Sequence, residues 1–320
     1  MLHQLRRDEY TVGWVCALPV ELAAAQEMFD EEHEMPYSGD TNIYSCGRIG
    51  GHNVVIACLP KGQFGTISAA AVAVQMKAAF TSMRFGLMVG IGGGVPSKEA
   101  DIRLGDVVVS KPCKRHGGVV QYDSGKATPS GFEHTGFLNA PPQVLLNAVG
   151  CLEARHKRGE RRLSEYLAKL NRLSDFTREA AGSDTLFDAA YNHEEGATCG
   201  QCDRTRLVTR EPRGQEVVVH YGTIASGNQV MRNAAERDKL SKELDGVLCF
   251  EMEAAGLMNS FPCLVIRGIC DYADSHKNKA WQPYAAATAA AYAKEVLSVI
   301  PPAEVAKTHT VDDTIREASG

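Results

Sequence analysis

No apolar run in this 320-residue chain reaches the length needed to cross a bilayer, so no membrane-spanning segment is expected. The opening MLHQLRRDEY lacks the apolar core of a secretory signal, and a cytoplasmic protein is expected. Positive charge is not in excess. Lys and Arg number 34 against 39 Asp and Glu, and the net charge of −5 argues against non-specific binding to nucleic acid. No internal repeat is visible, so solenoid and propeller architectures are not expected. The ten cysteines do not read as a disulfide framework. Cys16, Cys58, Cys249, Cys263 and Cys270 lie inside apolar stretches, where cysteine behaves as a small hydrophobe, and without a secretion signal they are expected to be reduced.

What is present suits one sizeable α/β core, with 44% hydrophobic and 23% charged residues. YTVGWVCALP (10–19) predicts a strand and VELAAAQEMFDEE (20–32) a helix. Residues 43–60 predict two strands joined by a Gly-Gly turn, 65–80 a helix of small residues, and 85–95 a buried strand ending in a glycine turn. Further strands are expected at 105–112, 216–227 and 244–249 and in CLVIRGICDYAD (263–274), with alanine-rich helices after the FEME carboxylates and at 283–299. Strands of continuous Val, Ile and Leu alternating with helices imply a mostly parallel sheet covered on both faces. The expected fold is therefore a single three-layer α/β/α domain around a central, mostly parallel mixed sheet. Residues 1–9 are expected to be a flexible N-terminus, 10–300 the domain, about 151–215 a polar insert, and 301–320 a flexible tail or linker.

Ligands in such sheets bind at the carboxyl ends of the strands. Glu21, Gly92–Gly94, Glu251 with Glu253, and Asp271 all fall there. Each has an ordinary reading on its own: a helix-start carboxylate, a common turn, a capping aspartate. Three carboxylates at equivalent strand ends around one glycine segment call for a common cause.

ALPVEL, VGIGGGV, GDVVVS, SGNQVM, FEMEAAG and IRGICDYAD…W occur in the order and rough spacing of the nucleoside phosphorylase/nucleosidase superfamily. Over about residues 10–300, apart from the insert, the chain resembles its fungal branch related to methylthioadenosine/adenosylhomocysteine nucleosidase. The resemblance implies hydrolysis or phosphorolysis of a purine N-glycosidic bond. It implies that Glu253 accepts the ribose hydroxyls and that Asp271 is the general acid toward purine N7. Met252 would pack on the sugar and Trp281 over base or sugar, unless Trp281 is a core tryptophan at a helix start, with Glu251, Gly92, Asn228 and Val230 as further substrate contacts. The raised pKa that a general acid needs could come from burial between two strands.

Phosphorylases of this kind carry cationic and hydroxyl donors where this chain has Glu21, Met88 and Ile91. A carboxylate repels phosphate and serves as general base for water, so hydrolysis is expected, with Glu21 as the base. Lys61 or a neighbouring subunit could restore a phosphate site. The alternatives are a phosphate-dependent phosphorylase, and a nucleotide-sensing or effector module of a larger signalling protein. Lys111, Lys114, Arg115 and Arg204, Arg206, Arg210 and Arg213 could hold the 5′-phosphates of an adenine nucleotide such as ATP, or simply solvate an insert. No cofactor is needed for the chemistry. His193, Cys199 and Cys202 offer three zinc ligands, with Asp188, Asp203 or Cys113 as a fourth; a plain loop with reduced thiols is the other reading. The expected partners are a small purine nucleoside or nucleotide and further copies of the chain, as a dimer or higher oligomer.

Overall fold

The computed structural model describes residues 3–36, 39–196 and 198–319, with side chains to residue 316. Its spine is the strand Phe85–Gly94, ten residues with all but Ile91 buried. On one side the spine pairs in parallel with Cys263–Asp271 along nearly its whole length. On the other side Val12–Cys16 pairs in parallel only as far as Met88. Cys249–Glu251 takes over antiparallel at Gly93 and Gly94. The stretch from Val89 to Gly92 is thus left without a strand on that side, and an opening forms there. The twelve-stranded sheet is mixed and mostly parallel, with helices on both faces.

Thr66–Ala79 covers one face through Ala69, Val72 and Met76. Pro19–Gln26, Gln143–Lys157 and Gln282–Val299 cover the other, where the alanines of Gln282–Val299 are buried almost throughout. Small side chains let that helix lie directly on the sheet. A Cβ at Gly268 would stand 1.8 Å from the carbonyl oxygen of Ala285.

Several boundaries differ from expectation. The helix predicted over 20–32 ends at Gln26, and Glu31–Glu34 instead forms a strand pairing with Tyr44–Ile49. The strand predicted over 216–227 is two, Val219–Gly222 and Ile224–Ser226, which pair with different neighbours. The helix expected after Glu253 is only a 3-10 turn, Ala254–Gly256, because Gly256 packs against the backbone of Thr66. The insert boundary at 151 falls inside the helix Gln143–Lys157, whose Leu145, Val149 and Leu152 are buried in the main core with Leu163, Tyr166 and Leu170.

Neither terminus is the loose segment the composition suggested. His3–Gln4 pairs in parallel with His33–Glu34, while residues 1 and 2 lie outside the described residues. Residues 301–319 form the helices Pro302–Val305 and Val311–Ser319; residue 320 lies outside the described residues. Val305 and Val311 are buried, and the Val311 N–H donates to the Met83 carbonyl at 2.8 Å. Two well-placed valines anchor a segment whose average composition is polar.

Gly268→Ala should destabilise the protein by about 1–3 kcal/mol or more, since neither the strand nor the helix backbone can yield. Gly150→Ala, on the open face of Gln143–Lys157 with nothing within 4 Å, should stabilise by about 0.5–1 kcal/mol. Denaturant unfolding of the two variants beside the parent checks both signs. A Gly268→Ala midpoint equal to the parent's would contradict the helix-on-strand contact.

Candidate active site

Gly92–Gly94 are strand, not the turn expected from the sequence, and two glycines of the spine, Gly90 and Gly93, have charged groups lying against them. A Cβ on Gly90 would meet Arg267 Nη1 and Glu21 Oε1, each at 2.5 Å, and one on Gly93 would meet Asp271 Oδ1 at 2.7 Å. Only a backbone without side chains allows this approach.

Arg267 lies in the middle of Cys263–Asp271 and is fully buried. Its Nη2 is paired with Glu251 and lies 3.6 Å from Glu253. Burial works against the guanidinium, but Glu251, Glu253 and Glu21 hold its pKa above the usual value. Sequence reasoning did not single out this residue. The signal was available, since an arginine inside an apolar strand demands carboxylate partners.

Glu251 and Glu253 have different tasks. Glu251 accepts from the backbone N–H of Glu253 at 3.1 Å and of Ala254 at 3.1–3.2 Å, besides Arg267, so most of its acceptor capacity is taken. Glu253 accepts one long bond, from the Gly65 N–H at 3.4 Å. Burial raises its pKa to about 7, opposed by Arg267 and reinforced by Glu251 and Glu21. It is the carboxylate with acceptor capacity left for a ligand.

Glu21 opens the helix Pro19–Gln26 and accepts three backbone N–H groups: Ala17 at 2.7 Å, Leu18 at 2.9 Å and Ile91 at 2.8 Å. Ile91 belongs to the stretch of the spine that Val12–Cys16 has left, so Glu21 bridges the gap. Burial pushes its pKa up; Arg267 and the three amides pull the other way.

Asp271 ends its strand buried, with Oδ1 accepting from the Ala273 N–H at 2.9 Å and Oδ2 from Lys277 Nζ at 2.7 Å. The chain turns at Ala273, whose φ of 51° is left-handed, and carries Lys277 back beside the strand end. Burial opposes the Lys277 ammonium, yet Asp271 holds its pKa above the usual range. Lys277 was not anticipated; burial between two strands had been the only influence on Asp271 considered.

These groups meet in a cleft enclosing ≈ 790 Å³, its mouth to solvent included. Glu21, Gly92, Val230, Glu251, Met252, Glu253 and Asp271 line it as expected from the sequence. Phe64, Met231, Phe250, Lys277 and Gln282 line it as well. Asn228 does not. Its Oδ1 accepts from the N–H and hydroxyl of Thr66, each at 3.1 Å, and so tethers the start of the Thr66–Ala79 helix. Trp281 does not line it either. It is buried edge-on to Tyr284 beneath the Arg178 guanidinium, a core tryptophan at a helix start; the cleft aromatics are Phe64 and Phe250.

The basic residues considered for phosphates also lie elsewhere. Arg210 pairs with Asp184, Arg213 with Asp106, Arg115 with Asp245 and Arg206 with Asp188, while Lys114 donates to the Asp245 carbonyl and Lys111 lies over Tyr221. Lys277 is the cation in the cleft wall among the described residues. His193, Cys199 and Cys202 do come together, with ligand atoms all within 4.8 Å of one another; Asp188, Asp203 and Cys113 stand outside that group.

The fold is similar to that of a methylthioadenosine/S-adenosylhomocysteine nucleosidase from Colwellia psychrerythraea 34H in complex with adenine. The TM-score is 0.60 at 18% identity, covering 92% of this chain and 98% of that one. In sequence the chain is 47% identical over 314 residues to a nucleotide-binding leucine-rich repeat (NLR)-like protein of Hyaloscypha variabilis, covering 96% of this chain and 31% of that protein. It is 26% identical over 283 residues to the ATP nucleosidase Cap17 of Escherichia coli, covering 86% of this chain and 48% of that one. The chain thus spans half or less of the length of these two relatives. The family model of the phosphorylase superfamily matches residues 11–298, nearly the whole of the sheet and its helices, and the chain belongs to that superfamily.

Proposed function

We propose that this domain hydrolyses the N-glycosidic bond of an adenine-type purine nucleoside or nucleotide, releasing the base and the ribose moiety. The observation that carries hydrolysis over phosphorolysis is the seat of Glu21. The amides of Ala17, Leu18 and Ile91 are the donors a phosphate would need here, and a carboxylate of the chain already occupies them. The named activity of the 26% identical ATP nucleosidase supports the same reading.

In this reading Glu253 accepts the ribose hydroxyls through the lone pairs the fold leaves uncommitted. As the C1′–N9 bond breaks, its electron pair moves into the purine and positive charge grows on the ribose. The ionised Glu253 stabilises that charge more in the transition state than in the ground state. Glu21 takes a proton from the water whose oxygen bonds to C1′. The purine receives at N7 a proton that passes through Asp271 from the Lys277 ammonium, 2.7 Å away. Phe64, Phe250 and Met252 give the base and sugar apolar surface. The exposed side chains of Phe64, Ile67 and Val74 at and beside the mouth are the surface a second copy would cover in a homo-oligomer. A second reading, an effector module within a larger signalling protein, is supported by the NLR-like relative, of which the chain matches only 31%.

Chromatography of products from adenosine, methylthioadenosine, AMP and ATP, each with and without phosphate, tests the proposal. Free adenine and an unphosphorylated C1′ should appear without phosphate; a strict phosphate requirement would make the domain a phosphorylase. Asp271→Asn should keep the fold and lower turnover by about two to four orders of magnitude, the usual range for losing a general acid. Activity within a few-fold of the parent would remove Asp271 from the mechanism.

Glu253 must be ionised to act, and its pKa stands at about 7. On the acid side kcat/KM should therefore fall with a midpoint near neutrality, and Glu253→Gln should abolish that limb. The loss on Glu253→Gln should be smaller for 2′-deoxy substrates, which already lack one hydroxyl. Equal losses on ribo and deoxy substrates would exclude the ribose clamp. Glu21→Gln should impair hydrolysis while sparing the binding of a non-reactive analogue, as isothermal titration would report; abolished binding would make Glu21 a ligand contact instead.

A further inference from the structure

The cluster in the insert has the geometry of a metal site. His193 Nδ1 lies 3.2 Å from Cys202 Sγ and 3.8 Å from Cys199 Sγ. Tetrahedral zinc with Zn–S of about 2.3 Å and Zn–N of about 2.0 Å holds its sulfur and nitrogen ligands about 3.6 Å apart, and the two distances bracket that value. The tautomer is right as well. His193 Nε2 is 3.0 Å from the Gly196 carbonyl, which can only accept, so the N–H sits on Nε2 and the Nδ1 lone pair faces the two sulfurs. A backbone carbonyl orienting a ligating imidazole in this way is the usual outer partner of a metal-bound histidine. Beside the cluster His276 is buried, and its Nε2 has no hydrogen-bond partner.

We propose that His193, Cys199 and Cys202 bind one Zn²⁺, with the fourth position left to water. The ion ties His193 to Cys199 and Cys202 where they meet the turn after the Cys263–Asp271 strand. That junction already carries the His193 N–H to Ser275 Oγ at 2.9 Å, and Phe187 stacked on His276 with ring centroids 4.2 Å apart. Lys277, the partner of Asp271, is the next residue along. His193, Cys199 and Cys202 stand outside the lining of the cleft that holds Glu21, Glu253 and Asp271, so the metal takes no part in the glycosidic chemistry. The site stands whether or not a purine is the natural substrate.

The full chain, purified under a non-chelating reductant, should carry about one zinc per molecule by elemental analysis. Cobalt exchanged for zinc should show thiolate-to-cobalt charge-transfer absorption and tetrahedral d–d bands. Cys199→Ser with Cys202→Ser should abolish both signals, and Cys113→Ser with Cys151→Ser should leave them unchanged. Should the first pair fail to fold, differential alkylation of the parent decides: zinc should protect Cys199 and Cys202, and a chelator should expose them without touching Cys151. A parent that neither retains zinc nor takes up cobalt, or a Cys199–Cys202 disulfide in the freshly reduced and purified chain, would overturn the proposal. So would metal retained by the folded double variant.

Discussion

A single guanidinium organises the centre of the molecule. Arg267 is fully buried in the strand that runs beside the spine, with Glu251, Glu253 and Glu21 around it. A buried charge without partners is strongly disfavoured, and removing one member of such a pair typically costs about 3–5 kcal/mol. The arrangement is therefore obligatory in both directions. Three carboxylates could not be gathered at one cleft without the cation beneath them, and the cation could not occupy a central strand without the carboxylates. One arginine shared among three glutamates leaves an excess of negative charge. Glu251 already accepts from two amides and Arg267 and Glu21 is held by three amides, so Glu253 is the group left with the most acceptor capacity for a ligand.

The spine makes room for this arrangement by changing partners. Val12–Cys16 departs after Met88, Cys249–Glu251 arrives at Gly93, and the interval between them is the floor of the cleft. Glu21 satisfies the Ile91 amide there. Gly90 and Gly93 give up their side chains to Arg267, Glu21 and Asp271. The same glycines that admit the charged groups also leave the strand dependent on its neighbours for stability, because glycine loses the most conformational freedom on folding.

Distant parts of the chain are drawn into the site through its edges. Asn228 ties the start of the Thr66–Ala79 helix, whose preceding Gly65 donates to Glu253. Ala273 bends the chain so that Lys277 reaches Asp271, and the insert packs onto that bend through Phe187 and His193. A loop that reads as a solvated interruption in the sequence is thus in contact with the residues flanking the catalytic candidate.

The sequence by itself determined the alternation of apolar strands and small-residue helices, because period and composition are local properties. It also determined that Glu21, Glu253 and Asp271 stand at strand ends of one sheet, where ligands bind. Order and spacing of short motifs were enough to identify the superfamily. It did not reveal Arg267 and Lys277, which acquire meaning only from what they face across the sheet and around a turn. It left Trp281 open between a ligand contact and a core tryptophan, because exposure toward a cleft and burial in a core look alike along a strand-to-helix junction. It also gave the insert's arginines a role, though Arg206 and Arg210 pair with Asp188 and Asp184 of the insert itself and Arg213 with distant Asp106. Those outcomes belong to the tertiary structure. Which charges pair, which acceptors remain open and which side chains reach the cleft depend on contacts between residues tens to hundreds of positions apart.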